Sequence, residues 1–118
     1  LKRFDVVIIY LPEKKEYIVK RIIGLPGETI AYRDSKLFIN GKEMEEPFLN
    51  HEYRKRYGNS FTSEIPEQTI PNHSYFCLGD NRPNSSDSRV YGPFAKKQII
   101  SKGVFILFPF SDFGVKSW

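Results

Sequence analysis

Lys20 lies inside Tyr17-Ile18-Val19-Lys20-Arg21-Ile22-Ile23, where every neighbour except Arg21 is apolar or aromatic. A lysine held in such a strand can lose its hydration. Desolvation disfavours the ammonium and draws the pKa down from about 10.4, each unit corresponding to about 1.4 kcal/mol. That is how a lysine becomes a base near neutral pH. The commoner case for these residues alone is an edge-strand lysine whose head snorkels to water.

The second concentration of chemistry is Gly79-Asp80-Asn81-Arg82-Pro83-Asn84-Ser85-Ser86-Asp87-Ser88-Arg89, with two acids, two arginines and three serines in eleven residues. Asp87 and Arg89, two apart, can pair across a tight turn and hold it rigid, and a hydroxyl such as Ser85 can orient a neighbouring amine. A solvated, turn-rich loop in which Asn, Ser, Asp and Pro serve the backbone has the same composition. His51 and His73 stand at no metal-ligand spacing from Cys77 or from a carboxylate cluster, so neither a metal nor a cofactor is expected. Cys77, with no histidine or helix start beside it, reads as a small buried hydrophobe. Arg54-Lys55-Arg56 between Tyr53 and Tyr57 has the interleaving of a nucleic-acid patch, but a solvated charge run accounts for it more simply and no nucleic-acid partner is expected.

Elements of a particular kind are needed to position these residues. The chain has 118 residues, 40% apolar and 27% charged, with 10 Phe, 7 Tyr and 1 Trp, the balance of one globular domain over 1–118 with a single core. One cysteine excludes an internal disulfide. No apolar run approaches the roughly 20 residues that span a bilayer, and the mild net charge of +4 identifies no partner. Strands are expected at Val6 to Tyr10, Tyr17 to Ile23, Glu28 to Tyr32, Lys36 to Ile39, Phe61 to Ile65, Ser74 to Leu78 and Gly103 to Phe108. Asp34-Ser35 and Asn40-Gly41 mark tight turns. Residues 43–70 read as a short surface excursion, and only Ala95 to Ile100 offers a helical turn. The expected class is all-β: an antiparallel folded sheet or partly open barrel with long loops and at most one short helical turn.

Val19-Lys20-Arg21-Ile22-Ile23-Gly24-Leu25-Pro26-Gly27-Glu28 resembles the lysine box of bacterial type I signal peptidases, membrane-bound serine proteases that remove signal peptides. Gly79 to Arg89 resembles that family's Gly-Asp-Asn-Arg…Asn-Ser…Asp-Ser-Arg box. Arg3-Phe4-Asp5-Val6-Val7 is similar to its Arg-Gly-Asp-Val-Val box, with Phe4 in place of Gly. The resemblance implies a Ser-Lys dyad in which Lys20 is the general base and Ser85 positions its amine, inside a charged scaffold of Arg21, Asp80, Arg82, Asp87 and Arg89. It implies an extended substrate with Ala-X-Ala before the cut, added along the strand edge at Ile18 and Val19. The family's nucleophile precedes the Arg-Asp box in a Ser-X-Pro motif, and no serine here matches it, so the chain is expected to be inert by itself and to derive from something longer.

The resemblance also implies a membrane location with the catalytic domain on the extracytoplasmic face. Phe110, Phe113 and Trp118 are candidates for contact with the lipid surface, where aromatic rings are favoured. A strand lacking its N-terminal neighbour would expose an edge, from which a homodimer or arm exchange is expected. The competing reading is a catalytically inactive relative that binds pilin or other exported substrates as an assembly factor, against which the retained Lys20 argues.

Overall fold

Alternation places Val7, Ile9 and Leu11 on one face of β1 (Val6–Leu11), and all three are buried. β1 pairs antiparallel with β2 (Glu16–Gly24) from Val6 opposite Arg21 to Leu11 opposite Glu16, the hairpin expected from the sequence. The computed structural model describes residues 1–102 and Trp118; the expected strand at 103–108, together with Phe110 and Phe113, lies outside the described residues.

β3 (Thr29–Arg33) and β4 (Lys36–Ile39) form the hairpin around Asp34-Ser35, and β5 (Lys42–Met44) follows the Asn40-Gly41 turn. Asn40 and Gly41 both have left-handed φ, 51° and 81°, as the two central positions of a type I′ turn require. The chain then forms α1 (His51–Tyr57), β6 (Ile65–Thr69), β7 (Ser74–Leu78), α2 (Ser88–Tyr91), β8 (Phe94–Ala95) and β9 (Ile99–Lys102). The described strands make two antiparallel sheets, β8-β7-β2-β1-β9 and β5-β4-β3-β6. The antiparallel all-β class expected from the sequence is the one observed.

β2 and β7 carry continuous apolar runs because both their faces are covered. Ile22, Tyr75 and Cys77 join Val7, Ile9, Leu11 and Phe94 in one core. Ile23, Phe76 and Leu78 point the other way, into a core shared with Ile30, Tyr32, Leu37, Ile39, Ile65 and Ile70 from the second sheet. The second sheet is thereby fastened to the back of the first.

Two details differ from expectation. The helical content exceeds one short turn: besides the 3₁₀ turn Lys96–Gln98, inside the expected Ala95 to Ile100, there are α1, α2 and a 3₁₀ turn at Arg82–Asn84. α1 forms within the charged stretch because Asn50 accepts the Tyr53 amide at 3.1 Å as an N-cap and Tyr53 stacks on Tyr57 one turn later. The strand expected at Phe61 to Ile65 begins only at Ile65. The Phe61 and Thr62 amides donate instead to Ser35 Oγ, at 2.8 and 3.0 Å, and leave no ladder there. β6 also carries Pro66, which its place at the sheet edge allows.

Candidate active site

Lys20 shares a face of β2 with Ile22 and stands opposite Val7 on β1, so its stem enters an apolar layer. The residue is 5% exposed. Burial lowers its pKa; Asp87 and Asp80 counter that, and Arg89 adds to it. Its Nζ donates to Ser85 Oγ at 3.0 Å, a contact across 65 residues of sequence. A neutral lysine amine has two N–H groups and one lone pair. Donating one N–H to Ser85 restricts its rotation and leaves the lone pair free to accept a proton.

Ser85 is delivered by a loop pinned at several points. β7 ends at Leu78, and the Gly79 amide donates to Asp87 Oδ2 at 2.9 Å. Asp87 is fully buried, and Arg89 donates to both its oxygens, from Nε at 2.9 Å and from Nη2 at 2.8 Å. Burial would raise the Asp87 pKa, but these donors together hold it below the ordinary carboxylate range. Asp87 also caps α2 by accepting the Arg89 amide, and Ser88 Oγ accepts the Cys77 amide at 2.9 Å. Asp87, Ser88 and Arg89 thus tie the loop's exit back to β7.

Its entrance is tied to β2. Arg21 donates to both oxygens of Asp80, at 2.9 and 2.7 Å, and its Nη1 donates to the Phe4 carbonyl at 2.9 Å. The guanidinium lies 4.2 Å from the Phe48 ring centroid and 5.5 Å from that of Trp118, whose carbonyl accepts the Asn81 amide. Between these ties Arg82 turns inward, 1% exposed, donating to Gly79 O, Tyr32 Oη, Thr62 Oγ1 and Glu46 Oε2. Burial would lower the Arg82 pKa, but Tyr32 and Glu46 raise it, so the guanidinium stays charged. The arrangement presents a desolvated amine beside a fixed hydroxyl, with three ion pairs, Arg21–Asp80, Arg82–Glu46 and Arg89–Asp87, holding the loop that carries Ser85.

The model of the family described as "Signal peptidase, peptidase S26" matches residues 1–108. The chain belongs to this family. It is 44% identical over 108 residues to a signal peptidase I of Bacillus amyloliquefaciens, covering 89% of this chain and 58% of that protein. It is 43% identical over 115 residues to signal peptidase I T of Bacillus subtilis, covering 95% of this chain and 60% of the relative. The crystal structure of a signal peptidase I from Enterococcus faecalis superposes with a TM-score of 0.77 at 36% identity, over 86% of this chain and 95% of that one. The chain spans about six tenths of the length of the curated relatives it matches.

Within this chain, the seven residues singled out as catalytic pair and scaffold come together around the Lys20–Ser85 contact. Ile18 is half-buried. Val19 is 3% exposed, and its backbone groups point to the edge of β2 on the β7 side, because those of Ile22, three residues on, bond to Phe4 and Asp5 on the β1 side. That edge exists because β7 pairs only with Arg21 to Gly24, while β1 occupies the opposite side of β2; no described strand pairs with Glu16 to Lys20 on the β7 side. Cys77 is fully buried, and burial pushes its thiol well above the ordinary range. Among the described residues no group of three or more His, Cys, Asp or Glu is placed to hold a metal ion, and no helix is long and apolar enough to cross a membrane.

Sequence reasoning missed Glu46, Tyr32, Tyr53, Phe4 and Phe48. Glu46 stands in Glu45-Glu46-Pro47 and reads as surface charge, yet it is 7% exposed, and Tyr32 donates to it at 2.7 Å. Tyr53 of α1 accepts the Arg82 amide at 3.0 Å. The only signal available was the charge of Arg82, which requires an anion if it is buried.

Proposed function

We propose that the complete protein containing residues 1–118 is a serine endopeptidase that removes signal peptides from exported preproteins after small residues, Ala-X-Ala, by a Ser-Lys dyad. Lys20 is the general base, and Ser85 positions its amine. The observation that carries this reading is the 5% exposed Lys20 whose Nζ donates to Ser85 Oγ at 3.0 Å. A serine supplied from outside residues 1–118 gives its proton to the Lys20 lone pair as its oxygen attacks the scissile carbonyl. The resulting ammonium then returns the proton to the leaving amine. Residues 1–118 alone are therefore inert.

The edge of β2 at Glu16 to Lys20, which no described strand pairs on the β7 side, supports an extended peptide adding there as a strand, with Ile18 and Val19 lining it. The reading extends to location: a catalytic domain on the extracytoplasmic face of the cell membrane.

The test uses the full reading frame, including the codons upstream of Leu1, with a preprotein bearing an Ala-X-Ala site. The wild type cleaves it, and Lys20→Ala lowers kcat by about 10²- to 10⁴-fold, the range for losing a general base. Cleavage by Lys20→Ala at the wild-type rate would sink the proposal. So would the absence of Ser, one residue and Pro within some tens of codons before Arg3.

A further inference from the structure

Two buried ion pairs bracket Ser85. Arg82 comes before it in the loop and is paired with Glu46; Asp87 comes after it and is paired with Arg89. The second pair is local, between residues two apart. The first reaches across the molecule, to the chain beyond β5. The Arg82 and Glu46 side chains are 0% and 4% exposed and meet at 2.6 Å. Glu46 Oε2 also accepts the Tyr32 hydroxyl of β3, to which Arg82 Nη1 donates in turn. The second sheet contributes no atom to the Lys20–Ser85 contact, yet it grips the loop that carries Ser85.

A buried guanidinium stays where its carboxylate is. Among the described residues, Glu46 is the acid within salt-bridge reach of Arg82. Arg82 opens the 3₁₀ turn Arg82–Asn84, and Ser85 is the residue that closes it. If the carboxylate is removed, the charge must find water, the turn shifts and Ser85 shifts with it. We infer that Glu46 is a positioning residue for the Lys20–Ser85 pair, acting through Arg82 and the turn Arg82–Asn84. This rests on the reading of Lys20 as the base. Glu46 touches neither Lys20 nor Ser85. The charges that bear on Lys20 are Asp87, Arg89 and Asp80, so substituting Glu46 changes the titration of Lys20 only by moving Ser85 and admitting water.

The experiment compares, in the complete protein, wild type, Glu46→Gln, the double variant Glu46→Leu with Arg82→Met, and Ile39→Ala. Ile39→Ala opens the second-sheet core as a control for stability loss alone. The double variant leaves no stranded charge, so it keeps its fold even if Glu46→Gln unfolds. It also lacks the Arg82 bonds to Gly79 O and Glu46 that hold the turn, so Ser85 shifts there too. The expected result is a kcat about 10- to 100-fold lower with KM changed less than about twofold, as for a misplaced catalytic group. The acid limb of the kcat/KM profile moves to higher pH as water reaches Lys20.

Carbon-13 NMR titration of Lys20 gives the same comparison without relying on cleavage, and its midpoint rises in the Glu46 variants but not in Ile39→Ala. A Lys20 midpoint unchanged in the folded double variant, or moved equally by Ile39→Ala, overturns the inference. If instead Lys20→Ala cleaves normally, the functional reading fails, and the NMR titration alone decides the role of Glu46.

Discussion

Ser85 Oγ fills the space that a side chain at Gly79 would need. A Cβ built on Gly79 would collide with that oxygen and lie 2.7 Å from Ser85 Cβ. Gly79 is therefore glycine for room rather than for backbone freedom. Its amide donates to Asp87 and its carbonyl accepts from Arg82, so the backbone cannot back away.

Gly79→Ala must then displace Ser85 from Lys20. The expected outcome in the complete protein is a kcat loss of about 100-fold, typical of a displacement near 1 Å. Overpacking should destabilise the fold by about 1–3 kcal/mol. Steady-state cleavage and urea unfolding measure the two effects; a variant with wild-type kcat would mean that the loop relaxes around the methyl group.

Lys20 affects stability whatever it does as a base. Its folded pKa lies below the unfolded value, so between the two the unfolded chain binds more protons and stability rises with pH. Below that window the fold bears the full penalty of a buried ammonium. Lys20→Met, similar in length but uncharged, should abolish cleavage and be more stable than wild type at neutral pH. Its advantage should shrink as pH is raised toward about 10.5. Urea midpoints at several pH values test this, and a constant advantage would show that Lys20 titrates as in water.

The strand that carries Lys20 was legible in the sequence, although its residues alone favoured a lysine snorkelling to water over the buried one observed. Tyr17 to Ile23 is apolar on both sides, and the structure divides it so that Ile22 and Ile23 enter different cores. Asn40-Gly41 likewise announced its turn, because few other dipeptides accept two left-handed residues in succession. The Arg82–Glu46 pair was not legible, since it joins residues 36 apart and only a folded second sheet brings them together. α1 escaped notice for another reason. Its seven residues are stabilised by a cap and by Tyr53 meeting Phe61 edge-on, a tertiary contact that no period in the sequence reveals.

Asp87→Asn separates two effects of one carboxylate. A lowered folded pKa means that the Asp87 contribution is fully present above its unfolded value, about 3.9, and is lost as pH falls through the folded one. The variant should be less stable by about 3–5 kcal/mol at pH 7, because Arg89 loses its buried partner. The difference from wild type should narrow only in acid, below about pH 4. The carboxylate also favours the Lys20 ammonium, so its removal should lower the Lys20 midpoint further, which lysine carbon-13 NMR would detect. A rise in that midpoint would contradict the assignment of Asp87 as an electrostatic neighbour of Lys20.

Phe4 stands where the related box has glycine, and its φ of 73° explains the difficulty of that substitution. A left-handed residue other than glycine costs about 1–2 kcal/mol. The Phe4 ring offsets this by meeting Phe48 edge-on at 5.0 Å, a geometry that contributes about 0.5–1.5 kcal/mol beyond burial. Phe48 in turn lies against Arg21, and the Phe4 carbonyl accepts from the same guanidinium. Phe4→Gly removes the strain and the ring together, so relief of strain should offset part of the lost burial and leave it less damaging than Phe4→Val. Phe4→Val keeps the strain, adds a β-branch to it and loses the ring, and should destabilise by about 2–3 kcal/mol. Urea unfolding of the two variants decides: if glycine is as damaging as valine, the ring carries the stability and the left-handed backbone stores no strain.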